Sequence, residues 1–402
     1  MERNLQDVIQ TLAERNDSFY LYDALRIRQQ INRLKSCFPS IEFLYSVKCN
    51  PHREVLKTVF SEGLGVDAAS LGEVRLAAET GLTKEENFYS APGKTGAELA
   101  AALPLATVIA DSLSEIRRIS AMSPLPVCVG LRINPDFTME GESGVASKFG
   151  VDEGLALEFI RNSLPDNIRI SGIHVHLKSQ ELNPNRLAAY YGKIFALAER
   201  IESALGYPLE FLNMGSGIGI AYAEGEREID LEDLGKETEA ILLPYRSSHP
   251  NTRLFIESGR YIVCQSGVYV THVSDVKLSH GKTYVILRNT LNGFARPSLG
   301  SLVAKYSRDA TPLPSEPLYT GPASFTYSAP YPERETERVT LVGNLCTATD
   351  VMAENIELPR LEAGDIVLVS NAGAYGATLS PNRFSSQQAP AEYVLDETGR
   401  VR

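Results

Sequence analysis

From residue 27 onward the chain alternates short apolar runs with longer stretches whose apolar side chains recur at helical spacing. The runs at 43–48, 65–69, 87–90, 106–110, 127–133, 170–177, 210–214 and 253–257 predict eight strands. Between them lie segments such as 71–80, 186–204 and 230–243, which keep a helical period and hold few breakers. This alternation builds an α/β fold. Eight repeats match a closed TIM barrel, although an open doubly wound sheet uses the same alternation. The count favours the barrel. Ahead of it, 5–15 predicts a helix and 18–23 (SFYLYD) a short strand. After about residue 261 strand follows strand, at 267–277, 282–288, 338–343, 365–370 and 392–395, which predicts a second, C-terminal β domain. Residues 297–338, rich in Pro, Ser and Tyr, predict a long loop of the kind that is functional or mobile.

Within that pattern the run FLYSVKCN (43–50) places a charge at the end of a buried strand. Side chains alternate between faces, so Lys48 shares one face with Ser46 and Leu44, while Phe43, Tyr45 and Val47 occupy the other. Both faces read as covered. An isolated ammonium loses several kcal/mol or more on leaving water, and lysines are seldom buried without a partner or a task. Either Lys48 snorkels to solvent on its flexible stem, or desolvation lowers its pKa and frees the amine to form a Schiff base. The strand alone leaves both open.

Composition narrows the setting. The 402 residues suffice for two or three domains, and 43% hydrophobic with 22% charged residues is ordinary for a globular protein. A net charge of -11 argues against nucleic acid or an anionic membrane as the main partner, since neither attracts an acidic protein. The opening MERNLQ has no apolar signal core and no apolar run is long enough to span a bilayer, so a cytoplasmic location is expected. Cys37, Cys49, Cys128, Cys264 and Cys346 include no CxxC pair and form neither a disulfide framework nor a zinc site. Cys37, Cys128 and Cys264 sit among apolar neighbours and are expected as small core residues.

Active sites of such barrels lie at the C-terminal ends of the strands, where this sequence places polar groups repeatedly. Strand one delivers Lys48; strand two leads into Asp67, Ser70, Gly72 and Glu73; strand five ends in Arg132 and Asn134. Strand six carries His174 and His176, then Ser179; strand seven runs into Gly215, Ser216, Gly217 and Gly219; strand eight delivers Glu257, Gly259 and Arg260. Singly each signal is weak. GSGIG is either a tight turn or a phosphate cradle of backbone N–H groups. His174 and His176 could begin a zinc site, serve as core histidines, or stack and exchange protons; no third ligand is evident nearby and no metal is expected. Glu257 and Arg260 could be a surface ion pair. Together the groups suit one ligand: an amine for an aldehyde, glycines and an arginine for a phosphate, an imidazole for a ring face, a carboxylate for a ring nitrogen. That ligand is pyridoxal phosphate.

The motifs SFYLYD, YSVKCN, DAASLGE, SAPGKT (90–95), SKFG (147–150), HVHLKSQ (174–180), NMGSGIG (213–219), ESGR (257–260), GNLCTATD (343–350) and NAGAYG (371–376) occur in this order along nearly the whole chain. They resemble the fold-type III pyridoxal-phosphate decarboxylases, which act on ornithine, arginine and diaminopimelate. The resemblance implies an alanine racemase-like barrel over 27–262, a β domain over 263–402, and a segment 1–26 packing with the latter. It implies Lys48 as the covalent anchor of the cofactor, Asp67 beside it, His176 against the ring and Glu257 at the pyridine nitrogen. Ser179, Gly215, Ser216, Gly217, Gly259 and Arg260 would hold the phosphate. Tyr375 and Cys346 would come from a second subunit, making an obligate homodimer with shared sites, and a thiol such as Cys346 would protonate Cα after carbon dioxide leaves.

Three departures bear on the substrate. Relatives place an acid directly after the cysteine, facing a distal ammonium, where this chain has Thr347; Asp350 could substitute for it. Lys178 replaces a glycine, and the glycine triplet of the phosphate loop contains Ser216. Arg132 is expected to contact the amino acid, and Arg296 or Arg383 to bind a distal carboxylate, as guanidinium groups do in bidentate fashion. The stretch 267–297, with GNLCTATDVMA and GAYG, looks closest to decarboxylases of carboxylate siderophore pathways of the staphyloferrin B and achromobactin type, which act on a citrate-conjugated diamino acid. Diaminopimelate decarboxylation, a racemase and a non-catalytic homologue are the alternatives. Lys48, Glu257 and Cys346 weigh against the last.

Overall fold

The structure is a computed structural model describing residues 5–215, 217–222, 225–306 and 323–402. In chain order, α1 (Leu5–Ala13) and β1 (Ser18–Asp23) precede the barrel. The barrel region then runs α2 (Ala24–Cys37), β2 (Glu42–Ser46), α3 (Arg53–Ser61), β3 (Gly65–Ala68), α4 (Leu71–Glu79), β4 (Asn87–Tyr89), α5 (Gly96–Ala102), β5 (Thr107–Ala110) and α6 (Leu113–Met122). It continues with β6 (Val127–Asn134), the short β7 (Val151–Asp152), α7 (Glu153–Asn162), β8 (Ile168–His174), α8 (Pro184–Leu205), β9 (Phe211–Asn213), α9 (Leu231–Ser248), β10 (Arg253–Ser258) and α10 (Arg260–Val263). Eight parallel strands pair in the order β5-β4-β3-β2-β10-β9-β8-β6, and a β5–β6 pairing closes the barrel.

Helix starts are set at the strand ends by side-chain caps. Ser70, Thr95, Ser112, Asn183 and Asp230 each accept a backbone N–H from the first turn that follows, ending the strand-side loop at a defined residue. Inside the barrel, Leu44, Phe88, Ile109, Phe211 and Phe255 form their own cluster, with the rings of Phe88 and Phe211 5.2 Å apart. Gly130 on β6 and Gly172 on β8 make room for it. A Cβ at Gly172 would stand 2.5 Å from the Phe211 ring. The alternation read from FLYSVKCN holds, with Leu44 inward and Phe43 and Tyr45 in the outer core under the helices.

The second sheet contains β11 (Gly267–Ser279), β12 (Lys282–Leu287), β13 (Tyr327–Ser328), β14 (Thr336–Gly343), β15 (Val351–Pro359), β16 (Ile366–Val369) and β17 (Ala391–Leu395). β1 lies in this sheet, antiparallel to β11 and parallel to β17. Four expectations need correction. β15 was not foreseen, because Asn355 at φ 55° and two register shifts against β14 break its alternation. The expected loop at 297–338 begins as helix α11 (Ala295–Tyr306), whose Pro297 sits in the first turn where its missing N–H costs nothing. Cys128 is exposed rather than core, since β6 becomes buried only from Val129. Lys48 follows the strand rather than ending it: β2 stops at Ser46, and Val47–Cys49 form a 3-10 turn closed by the Asn50 N–H on the Val47 carbonyl.

Packing inside the barrel generates a stability test. Gly172→Ala should cost about 1–3 kcal/mol by overpacking against Phe211. Phe211→Leu alone loses ring burial, but in the double variant it should recover part of the Gly172→Ala cost. Urea unfolding of the four proteins measures the coupling, and strictly additive costs would show that the two positions do not share the space.

Candidate active site

The C-terminal mouth of the barrel has a lysine corner built from three adjacent strands. Asp67, at the end of β3 and 0% exposed, accepts from Ser46 Oγ at 3.0 Å, from Lys48 Nζ at 3.2 Å and from Ser90 Oγ at 2.5 Å. Lys48 itself is not sealed in; 44% of its side chain is exposed within the open mouth. Desolvation there pulls its pKa down, but the carboxylates of Asp67 and Glu257 outweigh it and raise the amine above its ordinary value. That reverses the lowered pKa expected from burial alone. Glu73 on α4 accepts the Ala69 N–H at 2.7 Å, and burial together with the Asp67 charge pushes its pKa up to about 7.

Across the mouth stands Glu257, at the end of β10 and buried. Its Oε1 accepts from Asn213 Nδ2 at 2.8 Å and lies 3.2 Å from His174 Nε2. Burial alone would raise this carboxyl, but His174 and Lys48 outweigh it and hold it well below the usual range. It stays ionised. His176, two residues beyond His174, is pushed down to about 3 by desolvation, so its ring is neutral.

Next to His176 the chain leaves a cradle. Gly215 has φ 67°, and a Cβ there would strike the Val175 carbonyl at 2.3 Å and His176 at 2.8 Å. Asn213 Oδ1 accepts the Gly215 N–H at 2.9 Å, while the Gly215 carbonyl accepts the Glu257 N–H at 2.8 Å. Gly217 has its Cβ position filled by Leu187, and Ser179 is half-buried in the loop after β8. Ser216 lies outside the described residues. Gly259 admits no side chain because Cys49 Sγ occupies the space 2.2 Å from its Cβ position. Arg260 is buried, donates to the Tyr222 hydroxyl at 2.5 Å and stacks 5.1 Å from the Tyr375 ring.

Tyr375 therefore belongs to the same chain as Arg260, correcting its expected origin in a partner; its N–H donates to the Cys49 carbonyl at 2.8 Å, which fixes the 371–376 loop against the lysine turn. Arg132, at the end of β6, is buried, lies 3.6 Å from Asp111 and sits over the Phe149 ring at 4.4 Å. Arg296 is not an open cation. It is fully buried, donating to the Ala374 carbonyl at 2.9 Å and the Tyr222 hydroxyl at 3.1 Å. Asp350 is no substitute acid either, because it accepts from Thr290 Oγ1 and from the N–H groups of Leu291 and Leu345. Those bonds shape the 343–350 loop, which presents Cys346 exposed and pairs Thr347 with Thr349 at 2.8 Å. Arg383 is exposed, and Lys178 is drawn to Glu140 and Glu181.

These groups fit pyridoxal phosphate on the structure's own terms: an accessible amine, a neutral ring, an ionised buried carboxylate and a Cβ-free cradle beside an arginine share one mouth. A family model for the pyridoxal binding domain of pyridoxal-dependent decarboxylases matches residues 25–264. The chain belongs to the pyridoxal-dependent decarboxylases. It is an amino acid carboxy-lyase whose cofactor is pyridoxal phosphate. The L-glutamyl-(BtrI acyl-carrier protein) decarboxylase of Niallia circulans is 31% identical over 95% of this chain and 89% of its own. A Staphylococcus aureus decarboxylase of 2-((L-alanin-3-ylcarbamoyl)methyl)-2-hydroxybutanedioate is 28% identical, covering 98% of this chain and 99% of that protein. The crystal structure of Helicobacter pylori diaminopimelate decarboxylase complexed with L-lysine superimposes with a TM-score of 0.81 at 26% identity, over 99% and 95% of the two chains.

Among the described residues no helix of this decarboxylase is long and apolar enough to cross a membrane. Sequence reasoning missed Ser46, Ser90 and Asn213 as orienting groups and left the role of His174 open. Their signal was present, since each stands at or just past a strand end, but which carboxylate each one meets depends on strand order.

His176 gives a pH test. Its folded pKa near 3 lies below the ordinary 6.5, so unfolding takes up a proton between those values and stability falls as pH falls through them. From pH 7 to pH 4, cofactor-free His176→Gln should therefore lose less stability than wild type, by on the order of 2 kcal/mol, in urea unfolding. Equal acid sensitivity would mean the surroundings do not hold the ring neutral.

Proposed function

We propose that this enzyme removes the α-carboxylate of an amino acid whose side chain ends in a carboxylate-bearing conjugate rather than an ammonium, as in carboxylate siderophore assembly. One observation carries the reading: Thr347 follows Cys346, and the loop's single acid, Asp350, is already committed to three donors of its own chain. A distal ammonium would meet no free carboxylate there, and a buried unpaired charge costs several kcal/mol. The named substrates of two relatives carry no distal ammonium, one being a glutamyl group on an acyl-carrier protein and the other an alanine joined through an amide to a hydroxybutanedioate that keeps both carboxylates. Diaminopimelate decarboxylation is the second reading, favoured by the similarity to the Helicobacter pylori enzyme.

Lys48 would hold the cofactor covalently, His176 would lie against its ring, and Glu257 would keep a proton on the pyridine nitrogen. Gly215, Gly217, Ser179, Ser216 and Arg260 would bind the phosphate, with Tyr375 beside them. When bound, pyridoxal phosphate supplies the sink for the electrons released as carbon dioxide leaves. Arg132 would grip the amino acid. The proton returned to Cα would come from Cys346 of the partner subunit, since this thiol is exposed on its own chain. The enzyme would then act as a homodimer with shared sites, in the cytoplasm. Arg383, exposed and without a side-chain bond among the described residues, is the cation offered to a distal carboxylate.

Turnover of a citrate amide of diaminopropionate should exceed that of ornithine, lysine or diaminopimelate by at least a hundredfold in kcat/KM. Arg383→Gln should raise KM for the conjugate about tenfold with little change in kcat. Comparable turnover of diaminopimelate would decide for the second reading. Mixing inactive Lys48→Ala and Cys346→Ala chains should restore activity in one of two sites, and no restoration would mean that each chain works alone.

A further inference from the structure

Behind the lysine corner lies an ion pair with no access to solvent. The side chains of Lys94 and Glu115 are both 0% exposed, and their charged ends stand 2.9 Å apart. Lys94 Nζ also donates to the Ala91 carbonyl at 2.5 Å and lies 5.2 Å from the centre of the Tyr89 ring. Glu115 Oε1 accepts the Lys94 N–H at 2.9 Å, and its Oε2 accepts the Asp111 N–H at 3.0 Å. One carboxylate thus ties the 90–95 loop after β4 and the start of the connection after β5 to the first turn of α6. Desolvating two charges offsets most of what their attraction gives, so the stability the pair supplies comes chiefly from the backbone groups that the two side chains satisfy. What the ion pair adds is direction.

Each tied loop carries one side chain of the active site. Ser90 meets one oxygen of Asp67, whose other oxygen meets Lys48. Asp111 stands 3.6 Å from the guanidinium of Arg132, which lies over Phe149. We infer that Lys94 and Glu115 are positioning residues that set the spacing between the Lys48 amine and the Arg132 guanidinium, acting through Ser90 and Asp67 on one side and Asp111 on the other. The assignment of Arg132 to the amino acid rests on the function proposed above. Spacing matters because a misplacement of about 1 Å between a reacting group and its partner lowers rates by about 10²-fold.

The test replaces the pair by apolar residues of similar volume, Lys94→Met with Glu115→Leu, alongside Ser90→Ala and Asp111→Asn. In the cofactor-free protein, the rate at which acetic anhydride acetylates Lys48 at pH 8, read by peptide mass spectrometry, reports how closely Asp67 holds the amine. With cofactor and substrate, KM reports Arg132. The double variant should melt below wild type, because two buried backbone N–H groups lose their acceptor, acetylate Lys48 at least threefold faster and raise KM about tenfold. Ser90→Ala should reproduce the acetylation change, and Asp111→Asn the KM change; these two decide the matter if the double variant does not fold. Folded variants with wild-type acetylation and wild-type KM would overturn the inference. Acetylation needs no substrate, so an enzyme that turns over none of the amino acids offered would count against the proposed function and not against the positioning of Lys48.

Discussion

The charge balance around one amine organises the mouth of this barrel. Lys48 sits on a turn after β2, facing Asp67 from β3, with Glu257 on β10 close enough to raise its pKa. Neither carboxylate is left to itself. Ser46 and Ser90 meet Asp67 from the strands on either side, and Asn213 on β9 and His174 on β8 meet Glu257 from one side. Ser46, Ser90 and Asn213 each stand on or just past a strand adjacent to the carboxylate they meet, and His174 reaches Glu257 from one strand further round, so the charges are arranged by the strand order of the parallel sheet.

The β domain belongs to the same arrangement. Asn50 Nδ2 donates to the Gly373 carbonyl at 3.0 Å and the Tyr375 N–H donates to the Cys49 carbonyl, so the two residues that follow Lys48 are clasped by one loop of the second domain. That loop brings Tyr375 against Arg260, and α11 brings Arg296 to the same Tyr222 hydroxyl that Arg260 uses. The turn that carries Lys48 and the packing of the two domains therefore share one set of contacts. The buried arginine that a sequence reading offers to a distal carboxylate is already part of the joint.

Much of this was legible beforehand. All eight barrel strands fall within a few residues of their apolar runs, because buried parallel strands are read directly as unbroken hydrophobicity. The residues at their ends were legible for the same reason: a charge at the end of such a run is conspicuous. What the sequence could not show depends on partners remote along the chain. The upward shift of Lys48 comes from carboxylates 19 and about two hundred residues away, the commitment of Asp350 from Thr290 and Leu291, and the burial of Arg296 from Tyr222 and Ala374. β15 was hidden for a local reason, a left-handed Asn355 inside a strand.

The position of β1 has a kinetic side. Its residues pair in parallel with Ala391–Leu395, and the Tyr22 hydroxyl donates to Glu392 across a separation of 370 residues. Barrel strands β2 to β5 each pair with the next strand along the chain, so that half of the barrel assembles from short closures as the polypeptide emerges from the ribosome. β1 is translated ahead of all of them and has no sheet to join until residues beyond 267 exist. Until β11 and β17 are made, Phe19 and Leu21 have only the preceding α1 to pack against, so this part of the second sheet is completed after the barrel strands have been synthesised.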